Sequence, residues 1–174
     1  MSPSTITDEP AVYVGTYAKY NSGSIAGGWI NLEDHTDLDS FYDACRALHP
    51  DEADPEFMFQ DWQCIPEKYI SESSLQENVF DWIALDDDQR EIVTIYQSEV
   101  GYGNDEPDTA LEAYCGTYNS EEDWAAEQVD DQLSDAPAIL RNYFDYEAYA
   151  RDCRLNGDVT FVHHQGEILV FTTH

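Results

Sequence analysis

The sequence predicts an α+β fold drawn out as an elongated chain of three small domains. Three observations lead there: strand-like runs sit beside helical periodicity at both ends, the middle reads as helix, and negative charge is spread along the whole length. Thirty-seven Asp and Glu against seven Lys and Arg give a formal charge of -30. Residues 1–89 hold 19 acids and 3 bases and residues 90–174 hold 18 and 4, so the two halves carry -16 and -14. Self-repulsion of this size disfavours a sphere and favours an extended body or a cationic partner. The chain nevertheless has material for cores, with 42% hydrophobic residues, 12 Tyr and 4 Trp in 174 residues, so it is expected to fold.

A polar leader, 1–9, precedes a first domain at 10–72. Ala11 to Tyr17 and Gly27 to Leu32 read as strands, separated by a loop from Lys19 to Gly28. Asp37 opens a helix whose Phe41, Ala44, Cys45 and Leu48 fall at i, i+3, i+4 and i+7, and Pro50 ends it. Phe57 to Trp62 returns as a third strand.

The central domain, 73–106, is helical. Ser74 and Glu77 stand at capping-box spacing before a helix burying Leu75, Val79 and Ile83. Asp86, Asp87 and Asp88 start another, with Ile92, Val93, Tyr96 and Val100 inward and Gly101 at its end. Asn104 to Asp108 marks a boundary.

The last domain, 107–174, opens with a strand from Leu111 to Tyr118 and continues into the acidic stretch Asn119 to Asp135. As a helix capped by Asn119 or Ser120, that stretch places Ala125, Val129 and Leu133 on one face and Asp123, Glu127 and Asp131 on the other. No Lys or Arg occurs between Arg90 and Arg141. Like charges four residues apart destabilise a helix by about 0.2 to 0.5 kcal/mol per pair, so such a bare acidic face needs a reason. Pro137 suits a short helix through Phe144, Asp145 caps one running to about Leu155, and Asn156 with Gly157 stops it. Val159 to His163 and Glu167 to Thr172 form a hairpin around Gln165 and Gly166. Tyr13 to Tyr17 and Tyr114 to Tyr118 both read Tyr-x-Gly-Thr-Tyr, which is shared strand grammar or coincidence.

No constellation announces catalysis, a cofactor or a metal. Asp51 to Asp54 and Asp86 to Asp88 lack the alternating acids, central Gly and closing Glu of a calcium loop. His163 and His164 are adjacent on a strand and point to opposite faces, one exposed and one partly packed. Gly-x-Ser-x-Gly and Gly-rich phosphate loops are absent. Cys45, Cys64, Cys115 and Cys153 are too far apart for a zinc or redox pair and are expected as free buried thiols in a reducing cytoplasm. The first ten residues lack a basic start and an apolar run, so no signal peptide is expected, and no stretch approaches the roughly 20 apolar residues of a membrane span. Nucleic acid and anionic membrane are excluded as partners by the sign of the charge.

The charge itself is the remaining signal. Duplex DNA carries about one charge per 1.7 Å, so thirty charges correspond to roughly 50 Å, or about 15 base pairs. Carboxylates one helical turn apart lie about 6 Å apart along the axis, the order of spacing that a row of phosphate-binding Lys and Arg meets. Salt adaptation in an extreme halophile, or simple binding to one basic protein, accounts for the same composition. The many Tyr and Trp fit salt adaptation less naturally.

Several stretches carry a resemblance. They are Val12-Tyr13-Val14, Lys19-Tyr20-Asn21-x-Gly23, Gly28-Trp29, Phe59-Gln60-Asp61-Trp62, Asn142-Tyr143-Phe144-Asp145-Tyr146-x-Ala148-Tyr149-x-Arg151-Asp152 and the closing hairpin. In this order the chain resembles the ArdA-type antirestriction proteins of mobile elements. It departs from them in its leader of about ten residues and in Cys64, Cys115 and Cys153. The resemblance implies three domains in a row, a dimer, no catalytic residue, and a B-DNA mimic occupying the DNA groove of type I restriction-modification enzymes, on their specificity and methyltransferase subunits. On this basis Asp86, Asp87, Asp88, Glu121, Glu122, Asp123, Glu127, Asp130 and Asp131 are expected as exposed members of the mimic surface. The aromatic run Tyr143, Phe144, Tyr146 and Tyr149 is assigned to folding or dimer contact, and Arg151 to a buried ion pair.

Overall fold

The computed structural model describes residues 8–103 and 106–173. The chain packs as two compact units, Met1–Arg90 and Glu91–His174. Among the described residues it is a mixed α/β protein with eight α-helices and three small sheets. Most of the expected leader, and residues 104 and 105 of the expected boundary, lie outside the described residues.

In the first unit, β1 (Ala11–Thr16), β2 (Gly28–Asn31) and β3 (Phe57–Gln63) form an antiparallel sheet with β1 in the middle. Val12, Val14, Ile30 and Phe59 bury one side. A short helix, α1 (Tyr17–Asn21), occupies part of what the sequence suggests is loop. Thr16 causes it: extended at the end of β1, its hydroxyl accepts from the Lys19 amide at 3.2 Å and caps a turn at once.

The next helix, α2 (Leu38–Leu48), starts where expected, with the Asp37 carboxylate accepting from the Ser40 amide at 2.8 Å. Phe41 and Cys45 are buried, but Leu48 is 36% exposed. The chain leaves the helix at His49, and that ring takes the inward position instead. Its Nδ1 lies 2.9 Å from Lys19 Nζ and its Nε2 3.1 Å from the Val14 carbonyl. Lys offers only donors and a carbonyl only accepts, so the ring carries its proton on Nε2.

The expected helix after Ser74 is replaced by a two-residue hairpin, β4 (Ile70–Ser71) with β5 (Ser74–Leu75). The Phe59 amide donates to the Glu72 carbonyl at 2.7 Å, which ties the turn to β3 and overrides local preference. Helix α3 (Val79–Ile83) follows, burying Val79, Phe80 and Trp82, while Ile83 is only half-buried. The capping box lies further on. The Gln89 amide donates to Asp86 Oδ1 at 2.8 Å and the Asp86 amide to Gln89 Oε1 at 3.1 Å, opening α4 (Asp87–Glu99). This helix buries Val93, Ile95, Tyr96 and Gln97, so its inward face is rotated from the expected one, and Ile92 and Val100 are half-buried.

After α4 the chain forms a helix, α5 (Pro107–Ala113), where the sequence suggests a strand from Leu111. Pro107 in the first turn and the helix formers of Ala-Leu-Glu-Ala explain it. The strand β6 (Tyr114–Tyr118) starts only after Ala113. Helices α6 (Glu121–Ser134), α7 (Ala138–Asn142) and α8 (Tyr146–Asn156) follow. Asp145 caps α8 by accepting from the Ala148 amide at 2.9 Å, and Gly157, at φ 80°, closes it in the left-handed region. The hairpin β7 (Val159–His164) and β8 (Glu167–Thr172) completes a sheet with β8 in the middle. Its two-residue turn has φ 51° at Gln165 and 88° at Gly166, the pair of positive angles that suits a right-twisted hairpin.

The two Tyr-x-Gly-Thr-Tyr runs are alike in one structural respect. Each carries a register shift, between Tyr13 and Val14 against β3 and between Tyr114 and Gly116 against β8. His163 is exposed and His164 half-buried, with its Nε2 2.7 Å from Glu91 Oε1.

Two other expectations are corrected. All four cysteines are free thiols, but only Cys45 is buried, and burial pushes its thiol up to about 12. Arg151 is exposed, and Arg154, one turn on, makes the ion pair, with Glu121 at 2.8 Å. Within the aromatic run Tyr143 is 82% exposed, whereas the Phe144 ring lies 5.0 Å from that of Tyr146 and 5.9 Å from that of Tyr149.

Candidate functional site

The acidic helix α6 owes its placement to one apolar face. Trp124, Ala125 and Val129 are buried, and Trp124 and Ala125 join Ala150 of α8, Val159 of β7, and Ile168 and Val170 of β8 in one core cluster. The Trp124 ring meets Phe161 edge-on at 5.1 Å and stacks near Tyr149 at 6.2 Å. Leu133 is only half-buried, so the hold is firmest in the first half of the helix. At the N-terminus the Ser120 hydroxyl accepts from the Asp123 amide at 3.0 Å, and Glu121, Glu122 and Asp123 occupy the first turn, where the helix dipole favours carboxylates.

With that face fixed, Asp123, Glu127 and Asp131 point outward and are all exposed. They repeat every four residues, about 6 Å along the axis. Glu122 and Asp130 are exposed beside them. Glu121 differs: its half-buried carboxylate is matched by Arg154, so its charge is largely spent inside the unit. In the first unit, Asp86, Asp87 and Asp88 are exposed at the start of α4, and Asp86 is engaged in the capping box.

The few bases are placed to leave this field uncancelled. Four of the seven are seen in ion pairs with acids of their own neighbourhood: Lys19 with Asp51 at 2.9 Å, Arg46 with Asp43 at 2.7 Å, Arg90 with Glu33 at 3.7 Å, and Arg154 with Glu121 at 2.8 Å. The Lys19 hydrogen bond holds the Asp51 carboxyl below the usual range. Arg90 is further committed, lying over the Trp82 ring at 4.9 Å and donating to the Ile83 carbonyl.

Two residues on the acidic face carry no motif that marks them in the sequence. The Tyr146 hydroxyl donates to Asp130 Oδ1 at 3.1 Å, and the Tyr118 phenol sits beside Glu127, which after burial helps to raise it. Neither lies on α6, so helical periodicity gives no hint of them. The number of tyrosines, 12, is the one trace they leave in the composition.

Among the described residues, no group of three or more His, Cys, Asp or Glu is placed to hold a metal ion, and no helix is long and apolar enough to cross a membrane. A cleft of about 440 Å³ in the second unit lies between α4 and β7, lined by Thr94, Ser98, Glu99 and His164 among others. Its polar groups are of mixed kind and do not converge on one point of chemistry.

Residues 12–167 match the family described as Antirestriction protein (ArdA). The match starts inside β1 and ends on the first residue of β8, so it takes in both units. Comparison with curated proteins gives no match.

Proposed function

The chain belongs to the antirestriction protein (ArdA) family, which acts against restriction-modification enzymes, and on that premise we propose that it is a B-DNA mimic. It competes with DNA for the binding groove of a type I restriction-modification enzyme, formed by the specificity and methyltransferase subunits. It blocks cleavage by occupying that groove. The chemistry is multipoint pairing of carboxylates with the Lys and Arg that otherwise hold phosphates, with no catalytic step. Asp86, Asp87, Asp88, Glu122, Asp123, Glu127, Asp130 and Asp131 are the members of the surface in this reading, with Glu121 a weaker one because Arg154 already matches it.

The observation that carries the proposal is the exposed, base-free row Asp123, Glu127 and Asp131 on a helix pinned from behind by Trp124. A surface row held rigidly at nearly phosphate-like spacing suits a groove built to bind a regular polyanion. Three domains at 10–72, 73–106 and 107–174, and a homodimer acting in the cytoplasm, belong to the same proposal. Ile139, Leu140 and Tyr143 support the dimer: they are large, apolar or aromatic, and exposed on and beside α7.

The test is displacement of labelled DNA from a type I methyltransferase by the full chain. Affinity is expected to fall steeply with salt because many charge contacts release counterions, and a flat response up to about 0.5 M sinks the electrostatic mechanism. A protein that folds only in molar salt and displaces nothing belongs instead to the salt-adapted class.

A further inference from the structure

A mimic of DNA has to hold its charges in place without cancelling them. Tying a carboxylate down with Lys or Arg orders it but removes the charge that a partner reads. A phenol hydroxyl is a neutral donor, and it leaves the carboxylate negative with most of its lone pairs free. The acidic face of α6 uses such a donor. The Tyr146 hydroxyl, reaching from the first turn of α8, donates to Asp130 Oδ1 at 3.1 Å. The Tyr146 ring packs against the cluster of Trp124, Ala125, Ala150, Val159, Ile168 and Val170, so the hydroxyl is carried on an anchored body.

We propose that Tyr146 is a positioning residue for the anionic face: its hydroxyl holds Asp130 in a fixed place, uncancelled, for the guanidinium and ammonium groups of the partner. The inference rests on the DNA-mimic reading and names how that surface is pre-organised. Tyr146 is raised chiefly by its bond to Asp130. The device recurs in the first unit, where the Tyr17 hydroxyl donates to Glu72 Oε1 at 2.9 Å. It gives the abundance of tyrosine in so acidic a chain a physical use.

The experiment compares the full chain with Tyr146→Phe in displacement of labelled DNA from a type I methyltransferase across a salt series. The lost hydroxyl frees one carboxylate side chain, and displacement weakens about two- to tenfold. The slope of log affinity against log salt stays unchanged because no charge is lost, whereas Asp130→Asn lowers it. In the Asp130→Asn background, Tyr146→Phe has no further effect. A folded Tyr146→Phe that displaces DNA within twofold of the parent overturns the inference alone, since a hydroxyl that merely ties helices together leaves affinity untouched. A parent chain that displaces no DNA overturns the mimic reading and this one with it. Should Tyr146→Phe fail to fold, phenol titration of the parent and Asp130→Asn decides: a Tyr146 that titrates lower in Asp130→Asn supports the tie, and one that does not move refutes it.

Discussion

Helices α2 and α6, one in each unit, solve the same problem in different ways. Both are amphipathic, both start at a side-chain cap, from Asp37 and Ser120, and both rest on a buried aromatic anchor, Phe41 and Trp124. On α2 the exposed acid Asp43 is matched three residues later by Arg46 at 2.7 Å. On α6 six acids occur with no base on the helix at all, and the contacts to its acids come from Arg154 and from the hydroxyl of Tyr146. The units are equal in bulk charge: residues 1–90 hold 19 acids and 4 bases, residues 91–174 hold 18 and 3, so each carries -15. Net charge therefore does not distinguish the units, but the helices differ in their acids and in the type of donor that restrains them. A cationic donor trades charge for order, and a neutral donor keeps both.

The largest effects come from removing the anchors. Phe41→Ala and Trp124→Ala each leave a cavity and are expected to destabilise their own unit by about 3 to 5 kcal/mol, read as a lower midpoint in denaturant. The comparison lies in activity at a denaturant-free temperature where the variants stay folded. Trp124→Ala releases the acidic row from its support and should weaken DNA displacement. Displacement by Trp124→Ala that equals that of the parent removes the claim that the row must be held rigidly.

Next in size is the charge itself. Replacing Asp123, Glu127 and Asp131 together with Asn, Gln and Asn removes two like-charge pairs on α6, which raises helix stability by about 0.4 to 1 kcal/mol. It should also lower the salt slope of displacement by up to about three. Stability and function thus move in opposite directions. On α2, Asp43→Asn should do neither, because Arg46 already answers that charge. Any single neutralisation on α6 should leave inhibition in place, since the field is distributed.

The sequence revealed most where local chemistry decides. Asp145 is read correctly as a cap and Ser120 is one of two candidates for the other, the apolar spacing of Ala125 and Val129 gives the buried side of α6, and Gln165 with Gly166 gives the closing turn. It misled where a distant contact decides. Ser74 has capping-box spacing, yet the bond from Phe59 to the Glu72 carbonyl makes a hairpin there. Leu48 continues the helical period, yet the chain exits at His49, whose ring has partners on β1 and α1. Arg151 and Arg154 are a turn apart on α8, and spacing alone does not say which of them reaches Glu121. The acid row was legible because it lies on one helix. Its tyrosine support was not, because it arrives from α8.

Smaller changes at the caps sharpen the comparison. Asp37→Ala and Ser120→Ala each remove an acceptor for one orphan amide and should cost about 1 kcal/mol, measured by thermal melting. Frayed acids at Glu121 to Asp123 should then weaken displacement in Ser120→Ala, while Asp37→Ala should leave it unchanged.

The smallest stability effect belongs to the ion pairs, and there the two helices should part most clearly in function. Arg46→Gln breaks an exposed pair on α2, and Arg154→Gln breaks a pair in which both partners keep substantial contact with water. Each should cost no more than about 1 kcal/mol, because solvent screening limits such pairs. Their consequences for binding differ by location. Arg154→Gln returns the Glu121 charge to the first turn of α6, beside Glu122 and Asp123, and adds one unmatched carboxylate to the row. Displacement of DNA should become tighter at low salt, and its slope steeper by about one. Arg46→Gln frees Asp43 on a helix that has no such row and should change the slope little. If both variants steepen it equally, total charge governs inhibition and the organised face of α6 has no special part in it.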